Sequence, residues 1–149
     1  MAITWAISGI YKADPEKVYS EIFQDGQTET TPEQVLERAK DKKSELHKCF
    51  EWNNTKAAEK YRLLQAGQII RMLKVDVRDI APNAEPNEVR AIVSTGKVNT
   101  YEPMTVCIKN PDAYSHLLVQ AKVEMETFKR KYGTLAELEA VIQAMNSVA

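Results

Sequence analysis

Three times the sequence places a short polar residue directly before proline: Asp14-Pro15, Thr31-Pro32 and Asn110-Pro111. Asp, Thr and Asn side chains accept hydrogen bonds from the unpaired N–H groups of a first helical turn, and proline's fixed φ suits the following position, where no N–H is needed. Each pair therefore marks a helix start. After Pro15, the residues Val18, Tyr19, Ile22 and Phe23 fall on one face and predict a helix over 15–24. Thr31-Pro32-Glu33-Gln34 completes a capping box and predicts a helix over 32–42. Beyond Asn110, the spacing of Tyr114, Leu117, Leu118, Ala121, Met125 and Phe128 predicts a helix over 111–131, closed by Lys129-Arg130-Lys131 before Gly133. Thr134-Leu135-Ala136-Glu137 reads as a second capping box, opening a final helix over 135–146.

Between these starts, Ala57, Ala58, Tyr61, Leu64, Ile69 and Met72 recur with helical spacing, predicting a long helix over 54–73 capped by Asn53, Asn54 or Thr55. Gly67 inside it costs roughly 1 kcal/mol relative to alanine, which points to close packing of another element there. Leu46, Cys49, Phe50 and Trp52 form a dense apolar cluster that plugs the core, with Phe50 and Trp52 buried. From Lys74 the period changes to two. Val75 and Val77, then Val89 to Val93, then Met104, Val106 and Ile108 read as three strands of an antiparallel meander, with Thr95 to Thr100 as a hairpin connection. The expected class is α+β: a helical N-terminal part, a small antiparallel three-stranded sheet and two C-terminal helices. The 149 residues suit one domain, with a helical lobe over 1–73 and the sheet and C-terminal helices over 74–149.

A hydrophobic fraction of 44% and a charged fraction of 28% are those of a folding chain rather than a disordered one. The net charge of −1 supplies no global attraction to nucleic acid or anionic membrane, so such binding would need a local patch. Cys49 and Cys107 lie far apart, and no histidine pair completes a metal-ligand spacing, so free thiols, no metal and no cofactor are expected. Met1 to Tyr11 lacks the basic lead and long apolar run of a secretory signal, which makes the cytoplasm the expected location.

Candidate chemistry is sparse. His47 beside Cys49 suggests a nucleophile pair, yet such pairs are made by spatial geometry and seldom by near neighbours in sequence, so both are read as packing. Glu124/Glu126 and Glu137/Glu139 sit two apart on helices and point away from each other. No phosphate-binding glycine loop, zincin helix or nucleophile elbow is present, and the chain is expected not to be an enzyme. Lys40, Lys42, Lys43 and Lys48, and again Lys129, Arg130 and Lys131, are basic runs able to touch phosphate, though helix ends attract such residues as well. The two helices between Asp14 and Lys42 have the outline of a helix-turn-helix, but Glu33 and Glu37 at the start of the second repel a DNA backbone. Direct DNA binding is therefore expected to be weak.

On the long central helix Tyr61, Arg62 and Gln65 form a polar stripe, and aromatic and arginine residues are frequent interface anchors. With Lys42, Lys43 and Lys48 they are the expected partner-binding residues. His47, Phe50, Trp52-Asn53-Asn54, Ala57-Ala58, Tyr61-Arg62 and Gln65-Ala66 together resemble a pattern found in small uncharacterised proteins encoded by bacterial phages and prophages. That family's pattern usually carries an acidic pair where Asn53-Asn54 stands here. The likeness covers roughly Thr31 to the C-terminus and implies a phage context, in the cytoplasm of a bacterial host. It implies a non-enzymatic interaction protein that binds a host or phage macromolecule, with a bacterial defence complex such as a CRISPR effector among the targets. The alternatives are a DNA-associated phage regulator using the N-terminal helix pair, and a virion or assembly component that self-associates.

Overall fold

All three proline-marked starts form helices, capped by the residues that precede the prolines. A computed structural model describes residues 2–53 and 56–148. In helix α1 (Pro15–Ile22) the Asp14 side chain accepts from the Glu16 N–H at 3.0 Å. In α2 (Pro32–Ala39) the box closes both ways: Thr31 Oγ1 accepts from the Gln34 N–H, and Gln34 Oε1 accepts from the Thr31 N–H. Val18 and Ile22 of the first helix and Val35, Leu36 and Ala39 of the second are buried against the core. The Glu21 carboxylate reaches out of α1 to receive the N–H groups of Glu45 and Leu46 and the Ser44 hydroxyl, which pins the connection after α2.

Helix α3 (Lys56–Met72) runs straight into strand β2 (Leu73–Asp76). The expected cap at Asn54 or Thr55 lies outside the described residues. Ala66, Ile69, Ile70, Leu73 and Val75 are all buried, so one continuous apolar line passes from helix to strand. At Gly67 an added Cβ would meet only the Arg71 guanidinium, at 3.3 Å, so no other element packs closely there.

Two small sheets take the place of the expected meander. Strand β1 (Ile3–Trp5) and strand β3 (Glu88–Arg90) flank β2 antiparallel, with Ile3, Val75 and Val89 in register on one face. Strand β4 (Ile92–Ser94) and strand β5 (Tyr101–Pro103) form a second, two-stranded antiparallel sheet. The first expected strand stops early because the Asp76 side chain accepts from the Arg78 N–H, turning Val77–Asp79 into a 3-10 turn. The second divides at Ala91, whose N–H bonds to Leu73 O and whose carbonyl receives the Met104 N–H, so the chain passes from one sheet to the other. The third is a short helix, α4 (Met104–Cys107), and the strand lies just before it. Met104, Cys107 and Ile108 are spaced three and four apart, a helical spacing that the alternation of Met104, Val106 and Ile108 masks.

Helix α5 (Pro111–Tyr132) carries its expected Asn110 cap, with Oδ1 accepting from the Asp112 and Ala113 N–H groups. The Thr134 box does not form. Ala136–Leu138 is a 3-10 turn without a side-chain cap, followed by α6 (Glu139–Val148). The buried core cluster draws on residues from Ile3 to Ile92, with Trp5, Tyr11, Tyr19, Phe23 and Trp52 half-buried against it. Phe50 is buried as expected, and Trp52 is only partly covered.

Because Ile3 is 4% exposed and pairs with Val75, the first strand is part of the core rather than a loose end. Ile3→Ala should therefore lower folding stability by about 2–4 kcal/mol. A urea titration showing an unchanged midpoint would contradict that assignment.

Candidate functional site

The central helix does not present the expected stripe. Tyr61 is 55% exposed, but Arg62 next to it is 6% exposed and turns inward. Its Nε donates to Glu51 O at 2.9 Å and its NH2 group to Asn53 O at 3.0 Å, while Glu59 lies 3.7 Å from NH1. The guanidinium carbon sits 4.9 Å from the centre of the Trp52 ring, and His47 stacks on that ring at 4.5 Å with 8° between planes. Trp52 Nε1 in turn donates to His47 O. Arg62 is thus a clamp that ties the 47–53 segment to α3, using the fork of donors that only arginine carries. Gln65 is half-buried, its Oε1 receiving the Glu51 N–H at 3.5 Å. Lys48 is held by Glu45 at 2.9 Å, and Lys42 and Lys43 are exposed on the turn after α2. Of the six expected partner-binding residues, Tyr61, Lys42 and Lys43 point outward without a described ion pair, and Arg62 belongs to the interior.

The thiols are equally structural. Cys49 and Cys107 are unpaired and buried. Burial, with Glu45 and Glu21 adding to it, pushes the Cys49 thiol up to about 12. Burial and the adjacent Glu102 push Cys107 up to about 11. His47 Nδ1 lies 2.8 Å from Ala39 O, committed to the backbone of α2 rather than to Cys49. Glu102 is 5% exposed, and its Oε1 has no hydrogen-bond partner among the described residues. No group of three or more His, Cys, Asp or Glu among the described residues is arranged to hold a metal ion. The helix-turn-helix outline does not survive either, because residues 23–31 separate α1 from α2 and Thr30 is bridged to Tyr101. A DNA-reading pair needs a turn of three or four residues.

What remains open is the C-terminal arm. Neither α5 nor α6 contains a buried residue, yet Tyr114, Leu118, Val119 and Val123 on α5 and Val141 and Val148 on α6 are exposed apolar side chains. The arm leaves the body at Asn110 and touches it through His116, whose ring packs on Gly96 in the β4–β5 turn. Between α5 and the body lies a groove of about 590 Å³, with Leu117, Ala121 and Glu124 on one wall and Ile92, Arg71 and Arg90 on the other. Arg71 and Arg90 make no ion pair among the described residues. Sequence periodicity shows that α5 has an apolar side; it carries no signal of whether another element covers it. No described helix is long and apolar enough to cross a membrane. Comparison with known protein families, with curated proteins and with solved structures finds no match for this chain.

Removing the Arg62 clamp leaves two backbone carbonyls short of donors and uncovers Trp52. Arg62→Ala should cost about 3 kcal/mol of stability by chemical denaturation, and Arg62→Lys should recover less than half of that, since lysine lacks the fork. Equal stability of the lysine variant and the parent protein would refute the clamp. The buried thiols should react with a thiol reagent at pH 8 only on unfolding, because both ionise well above the ordinary range. Rapid labelling of either in the native protein would count against their burial.

Proposed function

We propose that this chain is a non-enzymatic interaction protein that works by binding a macromolecular partner through its α5–α6 arm. The observation that carries the reading is the absence of any buried residue on two helices that expose so many apolar side chains. A helix gains most of its stability from packing an amphipathic face, and isolated helices are marginal in water. Exposed apolar side chains concentrated on one pair of helices support an interaction site there. The phage-like sequence pattern supplies the setting: the partner is a host or phage macromolecule in a bacterial cell, and a defence complex such as a CRISPR effector fits that setting. Inhibition would then follow from occlusion of a surface rather than from chemistry. The connection of residues 23–31 between α1 and α2, bridged to Tyr101 through Thr30, is longer than a DNA-reading turn and favours the arm over the N-terminal helix pair as the binding element.

Leu118→Asp with Val123→Asp changes two exposed positions and should leave the circular dichroism of the body intact. Captured from a host lysate, the partner retained by the parent protein should bind the double variant at least about tenfold more weakly, a loss of about 1.4 kcal/mol or more. Undiminished capture by the double variant would move the binding surface off the arm.

A further inference from the structure

We propose that two copies of this chain associate reciprocally, each seating its α6 helix in the groove between α5 and the body of the other. The inference rests on the reading of the arm as a binding surface and names one occupant for it, a second copy.

The groove wall is basic and unneutralised. Arg71 and Arg90 line it, and Lys74 lies directly opposite Arg90 across the β2–β3 ladder. Like charges facing each other across strands repel. None of the three has a carboxylate within ion-pair distance among the described residues, and Glu124 is the acidic residue on the groove lining. Next to these charges run the side chains of Ile92, Leu117 and Ala121, so the groove suits an apolar helix that carries negative charge.

The chain itself makes such a helix. From Thr134 to Ala149 the charged residues are Glu137 and Glu139, with no lysine or arginine. Val141, Ala144 and Val148 follow at spacings of three and four and are exposed, so a face beyond the glutamates is apolar and uncovered. In its own molecule α6 is held along the far half of α5, where Lys129 Nζ donates to Asn146 Oδ1 at 2.8 Å. The groove lies beside the near half, from Leu117 to Glu124. One chain thus carries an apolar helix led in by two glutamates, Glu137 in the turn before α6 and Glu139 at its start, and a basic apolar groove at a separate place. Two copies satisfy both at once about a two-fold axis, and such a contact closes on itself instead of propagating.

The test is the solution mass of the full chain by light scattering, from low to high micromolar concentration. A dimer is expected, weakened by salt. Arg90→Glu should raise its dissociation constant about tenfold or more, and Glu137→Arg with Glu139→Arg should do likewise. All three positions are exposed, so folding is preserved. The chain carrying all three changes should regain association, because the charges are exchanged on both sides of the contact. A monomer throughout overturns the inference, as does a dimer indifferent to Arg90→Glu or a triple variant no tighter than the others. A monomer whose arm still captures a host partner ends this inference alone and leaves the proposed function standing.

Discussion

Helix α3 becomes strand β2 without a loop, and the two carbonyls at that junction are taken by segments from opposite ends of the core sequence. Met72 O receives the Ala6 N–H at 2.6 Å, and Leu73 O receives the Ala91 N–H at 3.0 Å. An interior peptide group left without a partner costs of order 1–3 kcal/mol, so both contacts are obligatory once Leu73 is buried. They fix where β1 arrives and where the chain crosses from β3 to β4. Ile69, Ile70 and Leu73, all fully buried, add roughly 1.5–3 kcal/mol each from apolar burial. The N-terminal helices then pack on a surface whose position is already set.

Beyond Ile108 the physics changes. In the body, polar groups are committed inward: Glu21 to the turn at Ser44, Arg62 to the carbonyls of Glu51 and Asn53, His47 to Ala39. In the arm the described side-chain bonds stay within the arm, such as Lys129 with Glu126, Gln120 with Glu124 and, from α5 to α6, Lys129 with Asn146. A region without buried residues opens at lower free-energy cost than a packed core, and elements that engage partners are drawn from that end of the stability range. The contrast between a packed body and an arm without buried residues is what the proposed binding role rests on.

Helix starts were legible in the sequence because their causes are local. Asp14, Thr31 and Asn110 each bond within three residues, and no distant contact is needed to specify them. The α+β class was legible for the same reason, from a change of period near Lys74. The individual strands were not, since Ile3-Thr4-Trp5 is too short to show a period and becomes a strand only by pairing with Leu73 to Val75. The stripe at Tyr61, Arg62 and Gln65 was misleading in an instructive way. Helical spacing places Arg62 near a surface edge, but a guanidinium swings through several ångströms, and the carbonyls of Glu51 and Asn53 draw it inside. Likewise the apolar period of α5 announces a face without saying what covers it. The groove between Arg71, Arg90 and α5 joins three distant segments, and no local pattern signals it.

Gly96 has φ of +93°, and a Cβ there would sit 2.7 Å from the His116 ring. The turn of the small hairpin is therefore the bearing against which α5 rests, about two turns from where it leaves the body. A helix of 22 residues extends roughly 33 Å. His116 lies about 9 Å along it, so most of α5 runs on beyond this contact toward Tyr132. A methyl group at residue 96 would meet that ring in a backbone conformation that side chains rarely adopt, so it is the smallest side chain in the protein that lets the hairpin turn lie against α5.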